Sequence, residues 1–128
     1  MFLIKESLSD RSARHVDEIV DIAMACENGV AVVAVAGELD VSNSGWLYEC
    51  LHDAIDAGMS RVVVDVELLT FMDSAGLAVI MGAYRRLKES GGLLTVLAPT
   101  PMVIRLFHVF DDVPHLMIQG PKARLSRP

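Results

Sequence analysis

A chain of 128 residues is one domain by length, and 52% apolar residues exclude disorder over most of it. The formal charge of −6 argues against direct nucleic-acid binding, which needs a basic face to replace counterions. No apolar run approaches the ~18 residues of a membrane span. Met1-Phe2-Leu3-Ile4 is too short for a signal-peptide core, so a cytoplasmic protein without membrane contact is expected.

Residues 1–18 read as an N-terminal arm. Ser7 to His15 is polar and charged with little periodicity, which suits a mobile arm or a short surface helix. The domain proper spans 19–119. Ile19 to Cys26 reads as a first strand, and Glu27-Asn28-Gly29 as its turn, since Asn-Gly tolerates positive φ. Val30 to Ala36 returns as a second strand, apolar throughout and therefore central. Gly37-Glu38-Leu39-Asp40 closes it. Ser42 or Ser44 then caps a helix that runs to about Ala57 and stops at Gly58. Leu47, Leu51, Ala54 and Ile55 form its buried stripe, with Cys50 at the edge. Trp46 lies off that stripe, suited to packing along a neighbouring helix or anchoring an interface.

Arg61 to Val66 reads as a buried strand because consecutive β-branched residues suit a covered sheet. It hands over through Thr70-Phe71-Met72-Asp73-Ser74 to a helix whose period is clear from Leu77 to Leu87. Ser90-Gly91-Gly92 breaks the pattern before a strand at Leu93 to Leu97. Thr100-Pro101 starts a third helix, with Val103, Leu106, Phe107 and Phe110 facing inward. Asp111 to Pro114 turns the chain towards a short edge strand at Leu116 to Ile118. Residues 120–128 form a basic C-terminal tail, expected to fray. This order implies an α/β domain: a mostly parallel sheet of roughly four to five strands, with an N-terminal hairpin and helices packed on it. Cys26 and Cys50 show no C-x-x-C spacing and read as reduced, buried thiols.

The junction at Asp73-Ser74 carries the chemistry. Either residue can serve as a helix N-cap, its oxygen accepting from an unpaired N–H. On a wheel of about 100° per residue, Leu77, Ile80, Met81, Tyr84 and Leu87 gather into a core face. The opposite face holds Ala75, Ala78, Val79, Gly82 and Arg86. Exposed helix faces usually carry Glu, Lys and Gln, and Gly82 costs about 1 kcal/mol of helix stability. A small, apolar face lets another backbone approach, so it reads as a docking surface with Ser74 at its rim. Asp40 and Asp73 both end strands, and partners gather at the carboxyl ends of parallel strands. The two are therefore expected near each other, where they can hold the hydroxyl, bind a metal or cap helices.

Asp73-Ser74-Ala75-Gly76-Leu77, preceded by Val63-Val64-Asp65 and Gly37-Glu38-Leu39-Asp40, resembles the STAS-domain anti-sigma-factor antagonists of bacteria. Order and spacing match over Ile19 to Gln119. The resemblance implies that Ser74 is phosphorylated by an anti-sigma factor that is itself a serine kinase, with a serine phosphatase as a further partner. It also implies that Asp40 helps shape the phosphorylation site; with the helix face, the expected partner surface is Asp40, Asp73, Ser74, Ala75, Gly76, Ala78, Val79, Gly82 and Arg86. Many family members carry a second serine or threonine where this chain has Ala75.

Catalytic patterns are missing. Ser74 is not in a G-x-S-x-G elbow, and His15, His52, His108 and His115 are scattered. No phosphate loop, dinucleotide fingerprint or H-E-x-x-H is present, so neither enzyme activity nor a metal or cofactor is expected. A binding switch, monomeric or weakly dimeric, fits best. The alternatives are a STAS module in a stress-signalling or lipid-transport assembly without phosphorylation at Ser74, and a small hydrolase using Ser74, Asp40 and Asp73. Pull-down separates the first two, and hydrolytic assays test the third.

Overall fold

The computed structural model describes residues 3–6, 10–97, 99–108 and 117–119. Among them the chain runs β1 (Leu3–Glu6), β2 (Asp10–Val16), β3 (Val20–Glu27), β4 (Val30–Leu39), α1 (Ser44–Asp56), β5 (Arg61–Asp65), β6 (Leu69–Met72), α2 (Ser74–Glu89), β7 (Leu93–Leu97), α3 (Pro101–Phe107) and β8 (Met117–Gln119). The strands make one sheet in the order β1-β2-β3-β4-β5-β7-β8, with β6 joined to β4. Pairing is antiparallel from β1 to β4 and parallel from β4 onwards.

The sheet is therefore mixed and wider than the mostly parallel sheet of four to five strands that the sequence suggests. Three strands account for the difference: β1 and β2, which lie in the segment expected as an arm, and β6. Residues 10–16 are a strand rather than a mobile arm or surface helix. Ala13 is buried and His15 half-buried on one face, while Ser12 and Arg14 are exposed on the other. A strand with one solvated face shows few apolar residues, which hides its period of two. Arg14 is held there by Asp21 on β3, through contacts of 3.1 and 2.7 Å. The third is β6, which the sequence reading takes as a plain connection.

The β3–β4 hairpin turns at Asn28 (φ 54°) and Gly29 (φ 80°), matching the Asn-Gly reading. The buried rows of β3 and β4 join α1, α2 and α3 in one core. Leu77, Ile80, Met81, Tyr84 and Leu87 are all buried, as the wheel implies. Val103 and Phe107 of α3 are buried too, Leu106 packs against them, and Phe110 lies outside the described residues. The turn at 111–114 and the tail at 120–128 also lie outside them.

Cys50 belongs to the buried stripe of α1 rather than its edge. Both cysteines are free and buried, and burial, aided by Cys26 and Asp53, pushes the Cys50 thiol up to about 12. Trp46 is half-buried against the core. Its indole stacks on His15 of β2, ring centroids 3.8 Å apart.

That stack and the β2–β3 ladder tie the N-terminal strands to the core. Deleting residues 1–16 strips one side of β3 and uncovers Trp46. The melting temperature should fall by several degrees or more, and Trp46 emission should shift to the red. An unchanged melt would mean that β2 adds nothing to stability.

Candidate functional site

Strand β4 has two successive partners along one side. Its first half pairs with β5, and its last residues pair with β6, with a register shift between Gly37 and Glu38. Gly37 makes the shift possible. Its φ is +94°, and a Cβ there would lie 2.2 Å from the carbonyl oxygen of Ile19. The Gly37 amide donates to Leu68 O and the Glu38 amide to Ile19 O, both at 3.0 Å. As a result β4 and β6 leave the sheet side by side.

The chain leaving β6 enters α2 at Asp73, whose extended backbone (φ −99°, ψ −175°) makes it the N-cap. Its Oδ1 accepts from the amides of Ala75 (2.9 Å) and Gly76 (3.1 Å). Its Oδ2 accepts from the amide of Val41 at 3.1 Å. One carboxylate thus caps α2 and fastens the β4–α1 loop to it.

Asp40, next to Val41, turns its carboxylate into its own loop. It accepts from the Ser42 hydroxyl at 2.5 Å and the Ser42 amide at 2.9 Å. The hydroxyl first and the amide second hold the Asp40 carboxyl below the usual range. Neither Ser42 nor Ser44 caps α1. The N-cap position is Asn43, whose side chain accepts from the Asp40 amide and donates to Glu38 O, both at 2.9 Å.

Ser74 is the first residue of α2, exposed, and its hydroxyl makes no hydrogen bond among the described residues. Behind it Ala78 and Gly82 are exposed, with Ala75 and Val79 half-buried. A Cβ on Gly82 would meet nothing within 4 Å. Gly76 faces the other way. It is buried, and a Cβ there would sit 2.7 Å from Leu39 Cδ2 and 2.9 Å from Met72 Cγ. Its role is close packing of α2 on β4 and β6, so it drops out of the docking face.

Arg86 is engaged within the fold. Its guanidinium bonds the Asp56 carboxylate and lies 2.9 Å from Nδ1 of His52, both on α1. Burial and this guanidinium hold His52 below its usual value. Arg86 clamps α1 to α2 towards the end of α2 far from Ser74. An open cleft at that same end is lined by Ile55, Met59, Arg86 and Glu89. No group of three potential metal ligands occurs among the described residues, and no described helix is long and apolar enough to cross a membrane.

A mixed sheet sharing one core with three helices, as the described residues form here, is the architecture of a STAS domain. Residues 21–114 match the STAS domain family model, and the chain belongs to that family. It is 35% identical over 88 residues to the anti-sigma F factor antagonist of Paenibacillus polymyxa, spanning 68% of this chain and 75% of that protein. Among solved structures it is similar to an anti-sigma factor antagonist from Mycobacterium paratuberculosis, with a TM-score of 0.73 and 21% identity over 85% of this chain and 92% of that one. It is also similar to the Bacillus cell fate determinant SpoIIAA in its phosphorylated form, with a TM-score of 0.64 and 19% identity over 98% of this chain and 96% of that one.

Removing the bridge at Asp73 should be costly for a surface carboxylate. Asp73→Ala loses a cap of about 1 kcal/mol and the bond to Val41, about 1 kcal/mol more. Urea denaturation should show the sum, while Gly82→Ala should leave stability unchanged or raise it. If Asp73→Ala unfolded at the parent's midpoint, the bridge would be energetically idle.

Acid should act in two stages. Asp40 and Asp56 are more acidic in the folded chain, Asp56 chiefly through Arg86. Their contribution is complete above about pH 4 and is lost as pH falls through their lowered values. His52 resists protonation in the folded chain, so stability is also lost, more gently, below about pH 6.5. Melting temperatures across pH should show a shallow decline and then a steep one, and His52→Gln should remove only the shallow limb.

Proposed function

We propose that this chain is an anti-sigma-factor antagonist switched at Ser74. The unmodified form binds a serine-kinase anti-sigma factor and frees the sigma factor. Transfer of the γ-phosphoryl of ATP to Ser74 Oγ ends the binding, and a serine phosphatase restores it. The observation that carries this reading is an exposed, unbonded serine hydroxyl at the head of a helix whose outer face is Ala78 and Gly82. The name of the P. polymyxa relative supports the same role.

Electrostatics explains how a phosphate acts as an off switch. It adds about −1.5 to −2 charges at pH 7. In the free domain the helix N-terminus and water tolerate that charge, partly offset by Asp73 beside it. In a complex the phosphate meets a desolvated rim with carboxylates around it. Burial without a cationic partner costs several kcal/mol, and about 1.4 kcal/mol is a tenfold change in affinity. The chain acts as substrate rather than catalyst. His15 stacks on Trp46, and His52 is taken up by Arg86 and Tyr48. The site works in the cytoplasm, where sigma factors operate.

The test mixes the protein with candidate anti-sigma kinases and ATP, maps any phosphate, and measures binding of variants. Ser74→Ala should bind and resist inactivation. Ser74→Glu should fold normally and bind about a hundredfold more weakly. Gly82→Glu should block docking with Ser74 untouched. Parent-like binding by Ser74→Glu would sink the charge switch.

A further inference from the structure

Seven large hydrophobic residues are exposed among the described residues: Val16, Ile19, Val32, Val41, Tyr48, Leu68 and Phe71. Five of them lie at one end of the sheet. The backbones of Ile19 and Leu68 bond Glu38 and Gly37, and Phe71 pairs with Glu38 in the β4–β6 ladder. Val41 is held by Asp73, and Val16 ends the strand that leads to Ile19. Their exposure runs from 44% at Phe71 to 78% at Val41. Such side chains scattered singly need no explanation, but a group around two residues does.

The charge around them has one sign. Residues 16–20, 37–42 and 66–75 contain Asp17, Glu18, Glu38, Asp40, Glu67 and Asp73, and no lysine or arginine. Glu18, Glu38 and Glu67 are exposed. These six carboxylates equal the formal net charge of −6 for the whole chain, so the remaining residues balance to zero. Arg14, two residues before Val16, is already held by Asp21.

We infer that this acidic rim, with Ile19, Val41, Leu68 and Phe71 as apolar anchors, takes a protein surface that presents apolar side chains ringed by lysine or arginine. On the reading proposed above, on which the inference rests, that surface belongs to the anti-sigma factor. The rim then extends the docking site from α2 across the end of the sheet. The apolar anchors supply affinity once water is excluded, while the carboxylates speed encounter and select a cationic partner. A neutral partner would leave the exposed carboxylates of Glu18, Glu38 and Glu67 facing an apolar contact, which desolvation opposes.

The test compares Leu68→Ser/Phe71→Ser with the parent and with Val32→Thr, an exposed apolar position elsewhere on the sheet. Affinity for the anti-sigma kinase should fall about tenfold or more in the double variant and stay unchanged in Val32→Thr. Both variants should melt with the parent. If the double variant misfolds, Glu18→Lys/Glu67→Lys takes its place and should weaken binding and flatten its salt dependence. Parent-like binding by the folded rim variant would overturn the inference even where Ser74→Glu fails to bind. Binding lost in Ser74→Glu alone would keep the switch and discard the rim. If the parent binds no anti-sigma kinase, the proposed function fails first. The rim is then judged by nuclear magnetic resonance with a synthetic peptide of alternating lysine and leucine. Amide shifts at Ile19, Val41, Leu68 and Phe71 support it, and shifts elsewhere or none overturn it. A concentration-dependent dimer of the parent that Phe71→Ser dissociates would give the rim to a second copy and also overturn the inference.

Discussion

The carboxylate of Asp73 is the point on which the site depends. One oxygen caps α2 through Ala75 and Gly76, and the other holds the Val41 amide. A cap alone would orient the helix. The second bond also fixes the loop leading to α1, so the two strand exits move as one unit. Ser74 follows directly, and its hydroxyl makes no hydrogen bond among the described residues, which leaves it available at the edge that the bridge fixes. On the proposed reading, rigidity around this hydroxyl would allow one added charge to be read by a partner without remodelling the domain.

The geometry behind that bridge comes from β4 and two glycines. Gly37 allows β4 to change partners from β5 to β6, since any side chain there would strike Ile19 O. Gly76 lets α2 settle against Leu39 and Met72, the last residues of β4 and β6. Gly82, by contrast, has open space where a side chain would stand and keeps the outer face of α2 low. Three glycines in one chain thus serve three different physical ends, and of the three only Gly82 lies on the proposed docking surface.

Much of this was legible in the sequence, for reasons specific to each segment. The inward face of α2 shows because Leu77, Ile80, Met81, Tyr84 and Leu87 repeat at helical spacing, and the β3–β4 hairpin shows because Asn28-Gly29 demands positive φ. Ser74 stands out at a strand-to-helix junction beside a natural cap. What stayed hidden depends on tertiary contact. β2 is disguised by Ser12 and Arg14 on its solvated face, and β6 is short, with only its end residues Leu69 and Met72 buried. Spacing cannot show that Arg86 is occupied by α1, that Gly76 is packed inward, or that Trp46 is covered by His15 from a distant strand. The five apolar residues of the rim come from separate segments, so no local window contains them.

The central claim is that a phosphate on Ser74 acts by charge on a preformed surface and leaves the surface itself in place. Amide hydrogen exchange at Val41, Ala75 and Gly76, compared before and after phosphorylation of Ser74, tests it most directly. These three amides report the two arms of the Asp73 bridge. The account expects their protection to persist in the phosphorylated domain while binding is lost. Exchange that accelerates at all three on phosphorylation would show that the phosphate breaks the bridge and rearranges the domain, which contradicts the account.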